Sequence, residues 1–341
     1  SCSELLDVGN SGISLRFLSA LCALSPSRFT LSGDEHLRSR RNTKLLLDAF
    51  KTLGVEVSSN NGYAPLSVKG PFKNLNLTVD GTFSQTVSAL LIALSFVPHR
   101  TFLSVQNPGE TPFVDMTLDW LKRLNLSVKA TEYKLYDIGG NGRVKAFDYT
   151  VPSDLSTLLF PVVAALITKS AIDIENIDLS DTQGDKKALC ILRKMGAKIH
   201  YHKNTLSVYP TPNLKGIEID INDTIDALPI IAVLACYTQG KTTIKNGLSA
   251  RFKECDRIYC IAKELKKMGA KIHTFSDGLT IFESPLKGAL LNTYNDHRMV
   301  MSLTVAALGA EGESCILNTN CVEKTYRHFS HDLRRIGAFI T

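Results

Sequence analysis

The chain has 341 residues, of which 44% are hydrophobic and 21% are charged, and its formal net charge at pH 7 is +6. This composition excludes a disordered or fibrous protein, and the mild basic excess favours anionic small ligands over nucleic acid. A chain of this length exceeds one ordinary hydrophobic core, so we expect two domains.

An almost wholly apolar helix is predicted five times along the chain. In chain order, the copies fall at residues 13–24, 86–97, 155–167, 227–237 and 298–308. These runs are too short to span a bilayer, and a helix that is apolar on all sides must be buried in a core. The five copies therefore predict the centre of the fold.

Polar residues stand at the start of each apolar helix: Asn10 and Ser14, Ser84 and Gln85, Asp154 and Ser156, Asp226, and Asn295 with Asp296. They are either helix N-caps, the interpretation that we favour for Asp154 and Ser156, or groups that bind a ligand. Repeats that pack symmetrically would bring several helix N-termini together. Their positive field favours phosphates and carboxylates, so both interpretations can hold.

An amphipathic helix followed by an alternating β-type run also recurs five times. These helices end at Gly54, Asn125, Gly196, Gly269 and Gly337, at steps of 71, 71, 73 and 68 residues. Gly and Asn adopt the left-handed conformation readily at a helix C-terminus. Short hairpins are predicted at 60–62, 203–204 and 276–278. The sequence therefore predicts a repeat of about seventy residues.

The segment 149–153 interrupts this repeat. We place the domains at residues 1–152 and 153–341, each with two complete repeat units plus a partial one. The first apolar helix is expected to have no strand ahead of it, and we interpret the repeat as missing one unit at the N-terminus. Units of this kind bury their apolar faces against their neighbours.

Basic residues cluster in short segments at the edges of the apolar helices: Gly9–Gly12 with Arg16, Gly33–Arg41, Arg251–Arg257, Tyr294–Met299 and Lys324. Each alone is compatible with a turn or a solvated helix face, and none is a Walker or dinucleotide-binding fingerprint. Together they are costly to bury unless anionic ligands pair with them. The segments therefore predict an anion site.

In this order, the segments resemble those of the 5-enolpyruvylshikimate-3-phosphate synthase family, and the resemblance covers essentially the whole chain. Its most specific element is Tyr294–Met299, followed by Arg251–Arg257 and Gly9–Gly12. The resemblance implies an α/β, two-domain enolpyruvyl transferase-like fold of repeated βαβαββ-type units, described as an inside-out α/β barrel. The family has six units where this chain shows five.

The resemblance also implies a reaction. The enolpyruvyl group passes from phosphoenolpyruvate to the 5-hydroxyl of shikimate 3-phosphate, and phosphate leaves, without a metal or an organic cofactor. The implied phosphoenolpyruvate contacts are Gly12, Arg40, Gln85, Arg257, Arg298 and Lys324. The implied 3-phosphoshikimate contacts are Ser84, Gln85, Asp226 and Lys253. Asp226 matches the family's base for the hydroxyl, and Glu254 matches the group that exchanges a proton with the methylene carbon.

Three features depart from the family pattern. Nothing before Gly9 supplies the Lys-Ser pair and the Arg that family members use for both substrates. Phe83 replaces a serine ahead of Ser84, and Phe113 replaces a tyrosine that stacks on the substrate.

Two other functions remain open at this stage. A UDP-N-acetylglucosamine enolpyruvyl transferase shares the repeat fold but matches the basic segments less well, and an inactive fragment of the fold is the second alternative. The pairs His328 with His331 and His200 with His202 could be taken for metal ligands. Lone pairs of this sort are more often surface residues, so no metal is expected.

The remaining composition indicates the compartment. Eight scattered cysteines without a Cys-x-x-Cys pair are typical of reduced thiols in the cytoplasm. We therefore expect a cytoplasmic monomer whose partners are small anionic substrates, with no nucleic acid and no membrane.

Overall fold

The computed structural model describes residues 4–74 and 76–341, and the chain divides into two compact units, Ser1–Tyr149 and Thr150–Thr341. The division falls inside the predicted break, and the predicted domain boundary lies between residues 152 and 153. Cys2 lies outside the described residues, and Cys190, Cys236, Cys255, Cys260, Cys315 and Cys321 are free thiols.

The first unit alternates strands and helices. In chain order, its elements are β1 (Glu4–Asp7), α1 (Gly12–Cys22), β2 (Arg28–Ser32), α2 (Glu35–Ser39), α3 (Lys44–Thr52), β3 (Glu56–Asn60), β4 (Tyr63–Lys69), β5 (Asn76–Asp80), α4 (Ser84–Leu94), β6 (Thr101–Gln106), α5 (Thr111–Arg123), β7 (Val128–Thr131) and β8 (Leu135–Ile138).

These strands form two sheets of one topology, in the orders β1-β2-β4-β3 and β5-β6-β8-β7. In each sheet the first two strands are parallel and the rest are antiparallel. The unit is thus a βαβαββ group used twice. The expectation that no strand precedes the first apolar helix is wrong, because β1 pairs along its full length with β2. The additional partial repeat has no counterpart among the helices and strands of residues 4–74 and 76–149.

The second unit continues the pattern and adds three 3₁₀ turns. Its elements are α6 (Leu159–Ile167), β9 (Ile172–Ile174), α7 (Lys186–Lys194), β10 (Ile199–His202), β11 (Thr205–Val208), β12 (Glu218–Asp220), a 3₁₀ turn (Asn222–Ala227), α8 (Leu228–Cys236), β13 (Lys241–Lys245), a 3₁₀ turn (Leu248–Phe252), α9 (Arg257–Lys267), β14 (Lys271–Phe275), β15 (Gly278–Phe282), β16 (Leu290–Asn292), α10 (His297–Leu308), β17 (Cys315–Leu317), a 3₁₀ turn (Thr319–Lys324) and α11 (Phe329–Arg335).

Only the middle repeat of this unit is complete. Its sheet has the order β12-β13-β15-β14, whereas the repeat before it forms the three-stranded sheet β10-β11-β9 and the repeat after it forms the pair β16-β17. The predicted count of two complete units plus a partial one therefore differs from the structure by the opening strand of the first of these repeats.

Apolar helices fill the core of the second unit. All nine residues of α8 are buried, and α6, α8 and α10 pack against one another. A helix without a polar face is stable only in such surroundings. The sheets lie outside these helices, which is the inside-out arrangement that the resemblance implied. Since the three helices start from corresponding points of their repeats, their N-termini can carry polar groups to one end of the core.

The apolar helices of the first unit are less evenly buried. Nine of the eleven residues of α4 are buried, and α4 packs against α1. In α1 only four residues are buried, and Ile13 and Leu18 are 51% and 40% exposed. The prediction of a uniformly buried helix therefore holds less well for α1.

The residues that end the amphipathic helices behave as predicted. Gly54, Asn125, Gly196, Gly269 and Gly337 all have a positive φ, between 58° and 103°. The hairpin turns at 60–62 and 203–204 also contain left-handed residues, and β14 and β15 are joined through residues 276 and 277. The repeat thus depends on a backbone conformation that few residue types adopt cheaply.

We expect Gly269→Ala to lower the free energy of unfolding by about 1–2 kcal/mol, because the methyl group disfavours a φ of +96°. Space is not the cause, since the nearest atom to an added Cβ is the Pro285 carbonyl oxygen at 3.6 Å. Gly269→Asn is the matched control and should lose less, because Asn tolerates this conformation. Urea denaturation measures both; an alanine variant as stable as the wild type would contradict the argument.

Candidate active site

Arg257 is the centre of a buried ion cluster in the second unit. Its side chain is 1% exposed, and three carboxylates surround it. Its Nη1 donates to Asp226 Oδ1 at 2.6 Å, its Nη2 to Glu254 Oε2 at 2.8 Å, and its Nε to Asp296 Oδ2 at 2.7 Å. Burying a guanidinium without partners is costly, so these charge-assisted bonds make the burial possible. The pKa of Arg257 is accordingly raised, since the carboxylates outweigh burial.

Arg298 lies beside this cluster with part of its hydrogen-bonding capacity unused. Its Nη2 donates to Ser156 Oγ at 2.9 Å and lies 3.1 Å from Asp226 Oδ2. Its Nε and Nη1 are buried and have no hydrogen-bond partner among the described residues. Buried donors without acceptors are rare in folded proteins. The cluster therefore has two nitrogens available for an incoming anion.

Glu254 links the cluster to a further cation. Its side chain is 6% exposed, and its Oε1 accepts from Lys324 Nζ at 3.3 Å while its Oε2 accepts from Arg257. Arg257 thus holds Asp226 on one terminal nitrogen and Glu254 on the other. Two carboxylates are fixed close together by a single planar group.

Asp226 stays ionised in these surroundings. Burial raises its pKa, but the positive charges of Arg298, Arg257 and Lys253 outweigh burial and hold the pKa well below its usual range. Its side chain keeps 22% of its surface exposed, so the carboxylate can still be reached. Asp226 is therefore an accessible carboxylate surrounded by positively charged side chains.

The local sequence explains how α9 and α10 place these groups. Asp256 caps α9 by accepting from Tyr259 N, which sets Arg257 as the first helical residue. Asp296 caps α10 by accepting from Arg298 N at 2.8 Å, and the same carboxylate binds Arg257. One aspartate thus starts a helix and joins the two helices that carry the arginines.

The predicted residues of the first unit gather at the start of two helices. Gly12 is the first residue of α1, and Ser84 and Gln85 begin α4. Arg16 joins the two helices, because its Nη1 donates to Gly12 O at 3.1 Å and to Gln85 Oε1 at 3.0 Å. Burial and the neighbouring Arg41 lower the pKa of Arg16 to about 10.

Ser84 and Arg40, two other predicted contacts in this unit, differ in burial. Ser84 is buried and donates to Glu110 Oε2 at 3.0 Å, a partner that sequence reasoning missed. Arg40 follows the short helix α2 and is exposed. A methyl group at Gly12 would lie 3.0 Å from Arg16 Nη1, so the glycine leaves room for that guanidinium.

The preferred interpretation of Asp154 and Ser156 as N-caps is wrong. Helix α6 begins at Leu159, and both residues lie in the turn before it. Asp154 Oδ1 accepts from the backbone and the hydroxyl of Ser156, which in turn accepts from Arg298. The turn is thus part of the ion cluster, because three helix starts meet there.

Comparison with known proteins identifies the family. Residues 1–333 match the family model described as EPSP synthase (3-phosphoshikimate 1-carboxyvinyltransferase). A 3-phosphoshikimate 1-carboxyvinyltransferase from Acetivibrio thermocellus is 41% identical over 340 residues, which are 99% of this chain and 80% of that protein. The chain belongs to the EPSP synthase family.

Solved structures agree with this assignment. An EPSP synthase from Acinetobacter baumannii superposes with a TM-score of 0.83 at 25% identity, over all of this chain and 80% of that one. The enolpyruvyl transferase NikO from Streptomyces tendae shares the fold, with a TM-score of 0.75 at 17% identity over 99% and 96% of the two chains. The predicted family, fold class and transferase activity are confirmed, and the UDP-N-acetylglucosamine alternative is not favoured.

The sequence predicts neither a membrane-spanning segment nor a metal site. Among residues 4–74 and 76–341, no helix combines the length and apolarity needed to cross a bilayer. The same residues contain no group of three or more His, Cys, Asp or Glu side chains arranged to hold a metal ion. The rings of His328 and His331 meet edge to face, with centroids 6.3 Å apart.

Asp185 lies in the electrostatic surroundings of the ion cluster, and sequence reasoning missed it. It precedes α7, yet its side chain does not cap that helix, and its buried Oδ1 has no hydrogen-bond partner among the described residues. Burial and the charge of Asp226 raise its pKa to about 7, although Arg298 acts in the opposite direction. The signal that could have found it is Gln183-Gly184-Asp185 directly ahead of an amphipathic helix.

We expect Asp185→Asn to stabilise the protein by about 1–3 kcal/mol at pH 8 and by little at pH 4. The folded state retains a proton on Asp185 that the unfolded state releases above about pH 4, so stability is lost as pH rises toward 7. Asn removes this loss because it cannot ionise. Urea titrations at both pH values, with the exposed Asp173→Asn as control, measure the effect. An equal gain at both pH values would contradict it.

Proposed function

We propose that this chain transfers the enolpyruvyl group of phosphoenolpyruvate to the 5-hydroxyl of shikimate 3-phosphate and releases phosphate. The observation that carries the proposal is the pair of unpaired, buried nitrogens of Arg298 next to the ionised, reachable Asp226. An anionic donor and a hydroxyl acceptor require those two kinds of group side by side. The names of the relatives support the substrates.

In the proposed addition step, the acceptor oxygen bonds to C2 of phosphoenolpyruvate, Asp226 takes the hydroxyl proton, and C3 gains a proton from the protonated form of Glu254. In the elimination step, C3 returns a proton to Glu254, the C2–O bond to phosphate breaks, and the departing phosphate takes the proton held by Asp226. Glu254 is assigned the exchange at C3, because Arg257 holds its carboxylate next to that of Asp226. Groups placed in this way supply both proton transfers without moving.

Arg298 and Lys324 are the proposed contacts for phosphoenolpyruvate in the second unit. Nε and Nη1 of one guanidinium suit two oxygens of a carboxylate or phosphate. Lys324 adds a cation on the far side of Glu254, and Lys253, whose charge acts on Asp226, is assigned to shikimate 3-phosphate. Charge that develops as phosphate departs is thereby stabilised.

For Arg257 we propose an indirect role. The resemblance assigns it to phosphoenolpyruvate, but its three nitrogens already donate to three carboxylates and its side chain is 1% exposed. A residue in this position acts on the substrate by fixing Asp226 and Glu254. Its removal would leave Asp296 without its guanidinium partner, whereas Asp226 would keep Arg298 and Glu254 would keep Lys324.

The first unit contributes the remaining proposed contacts. Gly12, Arg40 and Gln85 are assigned to phosphoenolpyruvate, and Ser84 with Gln85 to shikimate 3-phosphate. Gln85 is held by Arg16, and Ser84 by Glu110, so both side chains are oriented before any ligand arrives. Preorganisation of this kind lowers the entropic cost of binding. We further propose that the protein is a cytoplasmic monomer.

The decisive experiment measures phosphate release from phosphoenolpyruvate by the purified protein with each acceptor in turn. Shikimate 3-phosphate should support turnover, whereas UDP-N-acetylglucosamine should not. Turnover with the second acceptor alone would overturn the proposed substrate, and Asp226→Asn identifies release that does not depend on the site.

We expect Arg298→Ala to lower kcat/KM for phosphoenolpyruvate, because it removes both free donors. The loss of transition-state stabilisation should be ~2–4 kcal/mol. Arg298→Lys should recover only part of this, since an ammonium lacks the planar fork. The exposed Arg193→Ala is the control for loss of a cation. Steady-state kinetics with a thermal melt for each variant test this, and near wild-type turnover in a folded Arg298→Ala protein would contradict the assignment.

A further inference from the structure

The turn ahead of α10 has an unusual backbone. Tyr294 and Asn295 have φ values of +54° and +57°. Asn adopts this conformation easily, but a bulky side chain such as that of Tyr is disfavoured there. Strained residues persist only where their surroundings hold them, and they cluster at functional sites. Asp296, which follows directly, caps α10 and binds Arg257.

Glu264 of α9 holds this turn. Its side chain is completely buried, and its Oε1 accepts from the Tyr294 hydroxyl at 2.6 Å. Its Oε2 accepts from Asn292 N at 2.9 Å and from Lys267 Nζ at 2.6 Å. Burial raises the pKa of Glu264, but these three bonds outweigh burial and lower it, so the carboxylate is ionised. An ionised acceptor makes the bond to the tyrosine strong.

The same helix touches the turn at a second point. Arg257, the first residue of α9, binds Asp296, and Glu264 is seven residues further on. Residues seven apart lie on one face of a helix. Helix α9 therefore contacts residues 292–296 at two points, through Glu264 and through Arg257. These two contacts fix the direction in which α10 starts.

We propose that Glu264, through Tyr294, is a positioning residue for Arg298. The two contacts hold a strained turn in the one conformation that points Arg298 at Ser156 and Asp226. Neither Glu264 nor Tyr294 touches a reacting atom. The inference rests on the proposed role of Arg298 in phosphoenolpyruvate binding, but the position of Arg298 can be measured without turnover.

The kinetic test uses Tyr294→Phe, Glu264→Gln and the double variant. Each single change should lower kcat ~10- to 100-fold, because small displacements of a contact group have effects of this size. The double variant should be no worse than the more severe single variant, because both changes break one connection. Multiplying effects, or an unchanged kcat in both single variants, would overturn the proposal.

Tyr237→Phe is the matched control. Tyr237 donates its hydroxyl to Ala306 O at 3.1 Å, near the other end of α10. The substitution therefore removes a tyrosine hydroxyl that contacts α10 from the end of α8, and it should lower the melting temperature to a similar extent, with kcat unchanged. A loss of kcat in this variant equal to that of Tyr294→Phe would reduce the effect to general stability and overturn the proposal.

A second measurement separates this inference from the proposed function. The ¹H–¹⁵Nε signal of Arg298, assigned by its absence in Arg298→Lys, should shift or broaden in Tyr294→Phe and Glu264→Gln but not in Tyr237→Phe. If the protein fails to release phosphate with shikimate 3-phosphate but this signal responds as expected, the function is wrong and the positioning role stands. An unmoved signal in both variants overturns the positioning role.

Discussion

The ion cluster around Arg257 is the constraint on which the second unit depends. A guanidinium that is 1% exposed is tolerated only because three carboxylates satisfy it. Asp226 comes from the turn before α8, Glu254 from the segment before α9, and Asp296 from the start of α10. One side chain therefore fixes the relative positions of three chain segments. The geometry of the site and the packing of the core cannot be changed independently.

The repeat explains why these segments meet. Each apolar helix enters the core from a polar start, and packing of α6, α8 and α10 against one another brings those starts to one end of the unit. Covering these polar groups with apolar neighbours would be costly, so they either pair with each other or stay unpaired and able to bind a ligand. Among the buried polar atoms that this pairing leaves without a hydrogen-bond partner in the described part of the chain are two nitrogens of Arg298, one oxygen of Asp185 and the hydroxyl of Thr224.

Sequence reasoning predicted the elements whose residue types leave little choice. The helix ends at Gly196 and Gly269 were predictable because few residues adopt a positive φ. The hairpin at Glu132 and Tyr133 was not, although both have a positive φ, because neither residue is typical of a tight turn. Strand β1 was not predicted, because it is only four residues long and has a charged residue at each end.

The candidate site was predictable to a different degree. Asp226 and Arg298 were identified through the resemblance, and the structure brings them within 3.1 Å of each other. The saturation of Arg257 could not be foreseen, because its partners are 31 and 39 residues away along the chain as well as next to it. Asp185 was overlooked although Gln183-Gly184-Asp185 precedes an amphipathic helix, since an aspartate before a helix is ordinarily a cap.

The unequal burial of the apolar helices has a consequence for motion. All nine residues of α8 are buried, so we expect its amide hydrogens to exchange with solvent more slowly than those of α1, which has only four buried residues. Asp226 lies two residues before α8, and Gly12 is the first residue of α1. Asp226, the proposed proton acceptor, is therefore attached to a helix whose residues are all buried. The backbone around Gly12 is attached to a helix with fewer buried residues, so we expect this part of the first unit to open locally more often than α8 opens in the second.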